Sequence, residues 1–113
     1  MSDELPEKTR EDVAAHRGPL LVEFGAAWCG YCRALAPVVQ EVRSAFPQVD
    51  HWKIEDGPGQ PLGRSFRVRL WPTLVFLRDG QVLRQMSRPD RHEVLEGFRA
   101  VTAEDAQRVD ERV

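Results

Sequence analysis

A chain of 113 residues, 42% of them hydrophobic, suffices for one compact domain with its own core and leaves no room for a second independent one. Its 16 basic and 18 acidic residues are interspersed and sum to a formal charge of -2, which excludes a field able to steer the protein to nucleic acid or an anionic membrane. No stretch is long and apolar enough to span a bilayer, and the acidic start Met1-Ser2-Asp3-Glu4 carries neither a secretory signal nor a membrane anchor, so a cytoplasmic location is expected.

Thr9 followed by Asp12 has the form of a helix N-cap, and Val13, Ala14 and Ala15 make a short helix that Gly18-Pro19 ends. Leu20-Leu21-Val22-Glu23-Phe24 reads as a buried strand with one conspicuous acid, Glu23. From Cys32 onward, Leu35, Val38, Val39, Val42 and Phe46 recur at helical spacing, with Pro37 inside that helix and Pro47 closing it. Val49 to Ile54 predicts a second strand, with Trp52 and Ile54 on one face and His51 and Lys53 on the other.

Asp56 to Pro61 is a loop by composition, and Leu62 to Leu70 is open between a short helix and an extended segment. Thr73 to Leu77 and Gln81 to Met86, joined by Asp79-Gly80, predict an antiparallel hairpin. Asp90, with Glu93 reaching back to it, caps a last helix whose buried face is Val94, Leu95, Phe98 and Val101. The order predicts an α/β fold with a mixed central β-sheet flanked by α-helices, as a single domain over residues 1–113. Its core covers about residues 9–102, and 103–113 form a charged C-terminal extension, fraying or solvated.

The only cysteines, Cys29 and Cys32, stand two residues apart between a buried strand and a helix start. In a reducing compartment such a pair stays as thiols except during chemistry or sensing. The position matters because a helix N-terminus offers unpaired backbone N–H groups and the positive end of the helix dipole, which stabilise a thiolate. Cys29 is therefore expected to be the acidic, exposed attacker. Cys32, one turn later and facing inward, is expected to resolve the mixed disulfide and form a reversible bond with Cys29. Two other readings compete. Half of a zinc site would need ligands from His16, His51 and His92, which lack ligand spacing, so no metal is expected; an inert packed pair is the second.

Taken together, Leu21-Val22-Glu23-Phe24, Trp28-Cys29-Gly30-Tyr31-Cys32, Ala36-Pro37 and Trp71-Pro72-Thr73 resemble the thioredoxin family, from about Leu20 to Phe98. The resemblance implies a thioredoxin-like fold and a cis peptide bond between Trp71 and Pro72, lying against the two sulfurs and offering backbone groups to a substrate chain. It places Trp28, Gly30, Tyr31, Trp71, Pro72 and Thr73 at the substrate contact. It aligns Glu23 with a buried acid beneath the second cysteine that shuttles a proton, although most members carry the shorter aspartate. A carboxyl in an apolar strand is disfavoured when charged, which suits it to take up and return a proton. The basic neighbour of that acid falls at His51 or Lys53. Arg88 replaces a glycine that commonly flanks the substrate groove, and Gly25 replaces a common tryptophan, so partner recognition is expected to differ. The segment before Thr9 is too polar to promise the extra N-terminal strand of many members.

The leading functional expectation is a monomeric protein-disulfide reductase in cell redox homeostasis and electron transport. It acts on disulfide-containing proteins, is recharged by a reductase, and needs no cofactor beyond the Cys29/Cys32 dithiol. A thiol oxidase or isomerase, and a binding or chaperone module keeping the fold, are the alternatives.

Overall fold

The structure, a computed structural model, describes the backbone of residues 8–112 and the side chains of residues 8–103. The readings made on residues 1–7, and those on the side chains of the charged extension, lie outside this range. In chain order the elements are α1 (Arg10–Ala15), β1 (Pro19–Gly25), α2 (Gly30–Arg43), β2 (Asp50–Glu55), α3 (Pro61–Ser65), β3 (Thr73–Arg78), β4 (Gln81–Ser87) and α4 (Arg91–Arg112).

The four strands form one sheet in the order β2-β1-β3-β4. β1 and β2 are parallel, with Leu21 opposite His51 and Glu23 opposite Lys53, so the chain between them must cross over, which α2 accomplishes. β3 runs antiparallel to both β1 and β4. Side-chain alternation divides β1 between two apolar layers. Leu21 packs with Leu35, Val39 and Val42 of α2 and with Val94, Phe98 and Val101 of α4. Leu20, Val22 and Phe24 face the other way, onto Val13 of α1 and Leu62 and Phe66 at α3. Glu23 shares the parity of Leu21 and is therefore delivered beneath α2.

The helix starts are built from local polar chemistry. Thr9 and Asp12 exchange side-chain and backbone hydrogen bonds at 2.8 and 3.1 Å, and Asp90 and Glu93 do the same ahead of α4 at 3.0 and 2.8 Å. The hairpin between β3 and β4 turns on Asp79 (φ 52°) and Gly80 (φ 79°). A Cβ on Gly80 would collide with the Ala14 carbonyl, so this turn is also where α1 docks.

Three boundaries are sharper in the structure than in the sequence. α2 starts at Gly30, before Cys32, and stops at Arg43, short of Pro47. The Ala45 and Phe46 amides already bond back three residues, to Val42 and Arg43, because the residue before a proline is driven out of the helical region. The open segment after Asp56 resolves into the single turn of α3, opened by Pro61 at its first position, followed by non-helical chain through Arg67 (φ 59°). The charged residues after Ala103 continue α4 as helical backbone to Arg112, the extension rather than the tail of the two readings.

α4 approaches the sheet closely at Gly97, where a Cβ would overlap the Phe76 ring. That ring is fully buried and held edge-to-face against Phe98 at 5.1 Å, so it has nowhere to move. Gly97→Ala should lower stability by a net of up to ~2 kcal/mol, because overpacking of about 1–3 kcal/mol is set against a helix-propensity gain of about 1 kcal/mol. Urea unfolding followed by circular dichroism checks this; an unchanged midpoint would mean that the Phe76 layer yields.

Candidate active site

At the end of β1 the chain turns through Ala26, Ala27 and Trp28 and enters α2. The turn is pinned from β2: the Asp56 amide donates to the Gly25 carbonyl at 2.8 Å, and the Ala27 amide donates to Glu55 Oε2 at 3.2 Å. Cys29, in extended conformation, is the N-cap of α2, and its Sγ accepts the Cys32 amide at 3.2 Å. A sulfur thus occupies the position that oxygen side chains usually take at a helix start. Burial opposes the Cys29 thiolate, but hydrogen bonds from the Cys32 thiol and from the Cys32 and Tyr31 amides, together with the Arg88 charge, outweigh it. The net effect holds the Cys29 pKa below the ordinary thiol value. For Cys32, burial and the contact with Cys29 push the pKa up to about 11, with the Cys29 and Glu23 charges adding to the rise.

Opposite Cys29 lies the loop into β3. The Trp71-Pro72 bond is cis, and the Trp71 carbonyl stands 3.8 Å from Cys29 Sγ. The Trp71 indole N–H donates to Asp56 Oδ2 at 2.9 Å, and its ring meets that of Trp28 edge-on at 5.3 Å. Arg88 completes this side. Its Nε donates to the Trp71 carbonyl at 3.0 Å, and its guanidinium lies 4.0 Å from the centroid of the Tyr31 ring.

On the far side of the sulfurs, Glu23 is buried and its Oε1 lies 2.7 Å from His51 Nε2. A cleft of about 330 Å³ lined by Glu23, Gly25, Cys32 and Lys53 opens there, and a second of about 230 Å³ reaches Glu23 and His51 past Gln40 and Arg43. Gly25 stands close behind the second sulfur: a Cβ on it would lie 2.8 Å from Cys32 Sγ and would shift it.

Two thiols of opposite acidity at one helix start, a cis proline against them and an acid behind them form a single arrangement. The thioredoxin family profile matches residues 4–100. The chain belongs to the thioredoxin family. Among solved structures, thioredoxin 2 from Pseudomonas aeruginosa PAO1 in its reduced form superposes with a TM-score of 0.75 at 48% identity, covering 87% of this chain and 92% of that one. Among curated relatives, thioredoxin-2 of Pyricularia oryzae is 37% identical over 62 residues, which is 55% of this chain and 36% of that protein. Protein disulfide-isomerase tigA of Aspergillus niger is 42% identical over 83 residues, 69% of this chain and 23% of the isomerase. The aligned chain thus spans well under half the length of these two curated relatives. No helix among the described residues is long and apolar enough to cross a membrane.

Within this thioredoxin framework the site residues read from sequence meet, with two corrections. Cys29 is only 6% exposed, whereas Cys32 is partly exposed at the 330 Å³ cleft, the reverse of the expected order. The N-capping role explains it: to accept the Cys32 amide, Cys29 Sγ turns inward beneath the Trp71 carbonyl. Thr73 is the second. Its side chain is fully buried, with the hydroxyl donating to the Leu70 carbonyl at 2.6 Å and lying 3.0 Å from Ser87 Oγ, so it presents nothing to a docking chain.

Trp28 (71% exposed) and Tyr31 (59%) flank the sulfurs at the surface, Gly30 is exposed with open space beside it, and Pro72 lines a groove with Tyr31 and Arg88. Of the two basic candidates beside Glu23, His51 makes the contact, while Lys53 lines both clefts without a bond to it. Asp56 was missed. Its loop composition hid a carboxylate that holds the Trp71 ring, and only the tertiary structure brings the two together.

The two sulfurs should separate by pH. Because Cys29 is depressed and Cys32 raised, a limiting amount of iodoacetamide should label Cys29 in preference to Cys32, with a midpoint below pH 9. Peptide mapping of protein alkylated across a range of pH decides it, and equal labelling of both at neutral pH would overturn the assigned acidities.

Proposed function

We propose that this thioredoxin-family chain is a thiol-disulfide oxidoreductase that reduces disulfides in protein substrates, working as a cytoplasmic monomer and recharged by a reductase. The observation that carries this reading is the placement of two thiols one helical turn apart, Cys29 capping α2 on the Cys32 amide beside cis Pro72 and Cys32 set back toward Glu23, an arrangement that lowers the Cys29 pKa and raises that of Cys32. A nucleophile must be ionised at neutral pH, and a resolving thiol must wait until the first bond has formed.

Cys29 thiolate attacks one sulfur of the substrate disulfide; the new S–S bond forms as the old one breaks, and the departing substrate thiolate takes a proton from water. Capture in the mixed disulfide removes the negative charge from Cys29, and with it the contact and repulsion that helped keep Cys32 protonated. Burial and the Glu23 charge remain. Glu23 then receives the Cys32 proton, directly or through the cleft that both line, and hands it on past His51. Cys32 attacks Cys29 Sγ, the mixed S–S bond breaks as the second substrate sulfur leaves as a thiolate and takes a proton from water, and two electrons have passed to the substrate while Cys29 and Cys32 become a disulfide. Trp28, Tyr31, Trp71 and the backbone at cis Pro72 form the docking rim. No metal or organic cofactor takes part, since both electrons are held by the two sulfurs.

The isomerase reading has one specific observation in its favour, the match to tigA, and one physical argument: whatever stabilises the Cys29 thiolate makes the disulfide more oxidising. The redox potential separates the two. Equilibration with glutathione buffers should give a value near that of reducing members, about -270 mV, and one near about -180 mV would move the protein to the isomerases. Thiol counts before and after dithiothreitol should differ by two, and a Cys32→Ser variant should accumulate substrate proteins on Cys29; two free thiols under every oxidising condition would sink the reductase cycle.

The proton relay has its own test. Glu23→Gln should slow decay of the mixed disulfide by about 10²-fold while leaving its formation nearly unchanged, because only resolution needs a base for Cys32. Stopped-flow build-up and decay with a small aromatic disulfide separate the steps, and unaltered decay in a folded variant would make Glu23 purely structural.

A further inference from the structure

Arg88 is held in a conformation that its residue type disfavours. Its φ is 49°, in the left-handed region where a glycine would sit without strain. The backbone is fixed there by the Arg88 amide donating to the Pro72 carbonyl at 2.8 Å, so the position belongs to the cis-proline loop whatever side chain it carries. An arginine tolerated at a glycine's dihedral angles points to a use for the side chain.

The guanidinium is positioned but not neutralised. Nε is fixed on the Trp71 carbonyl and Cζ lies over the Tyr31 ring, and the terminal N–H groups have no hydrogen-bond partner among the described residues. No carboxylate pairs with Arg88 among the described residues. The nearest acids along the chain, Asp90 and Glu93, are engaged in capping α4, and Glu41 is held by Arg91 at 2.7 and 3.2 Å. The groove of about 250 Å³ beneath it is lined by Tyr31, Ala34, Leu35, Pro72 and Pro89 with Arg88, an apolar floor under one cation and no acid. A planar fork with two free ends at the rim of such a groove matches a carboxylate.

We propose that Arg88 is a specificity residue that selects substrate chains carrying an acidic side chain close to the disulfide they present to Cys29. The inference rests on the reductase reading. A carboxylate beside the substrate cysteine would meet the guanidinium above the groove while the sulfur reaches Cys29, and a neutral or basic side chain there would leave the cation without a counter-charge.

The test compares two disulfide-bonded peptides, identical except for glutamate or glutamine on both sides of one cysteine, with wild type, Arg88→Gly and Arg88→Lys at low ionic strength. Arg88→Gly suits the backbone angle and should fold. Because Arg88 also supports the Cys29 thiolate, its loss will slow both peptides together, so the readout is the ratio of kcat/KM between them. Wild type should prefer the glutamate peptide by roughly threefold, Arg88→Lys by less, and Arg88→Gly not at all. A wild-type ratio of one, or a preference that survives in Arg88→Gly, overturns the proposal and leaves the reductase reading standing. Failure to reduce either peptide overturns both.

Discussion

Everything at this site hangs on the hydrogen bond between the Cys32 amide and Cys29 Sγ. It makes a sulfur the acceptor that closes the first turn of α2, so the helix start and the nucleophile are one object. A neutral thiol is a weak acceptor and a thiolate a strong one, so the helix is better capped when Cys29 is ionised. The same bond explains why Cys29 is tucked beneath the Trp71 carbonyl although it must react with other molecules. Its reactivity comes from charge, and substrate must bring its own sulfur to it.

The surrounding structure serves to keep the two sulfurs unequal. One side supplies positive potential, from the amides of α2 and the Arg88 guanidinium. The other supplies a low-polarity wall and the negative charge of Glu23. Gly25 lets Cys32 approach that wall, since any side chain there would push its sulfur away. The period-two alternation of β1 decides which way Glu23 faces, and the parallel register of β2 puts both Lys53, directly opposite, and His51, which makes the contact, on that face. The central strand therefore sets the chemistry as directly as the cysteines do.

Much of the fold was legible in the sequence because its elements carry strong local signals. The apolar run of β1, the helical stripe from Leu35 to Val42, the Asp79-Gly80 turn and the Asp90/Glu93 cap each express one short-range preference, and each formed as read. The misreadings have a common origin in tertiary geometry. Cysteine is not a usual cap, so a helix N-terminus at Cys29 does not by itself reveal that its sulfur turns inward instead of standing exposed. Thr73 sits at a family docking position, yet its hydroxyl closes on Leu70 and Ser87 inside the loop. The choice between His51 and Lys53 turned on side-chain reach across parallel strands, which strand parity alone does not decide. Asp56 meets Trp71 across 15 positions of chain, a distance at which composition carries no information.

The capping sulfur ties folding and electron transfer into one thermodynamic cycle. The free energy gained by hydrogen-bonding Cys29 as an anion belongs to the dithiol form alone, because a sulfur committed to a covalent bond with Cys32 no longer bears the charge. The folded chain's preference for two thiols over a disulfide, relative to the unfolded chain, must therefore equal the difference in conformational stability between the reduced and oxidised proteins. A residue change that loosens the first turn of α2 around Cys29 is consequently also a redox change: whatever it takes from the reduced fold beyond what it takes from the oxidised one strengthens the protein as an electron donor by the same amount.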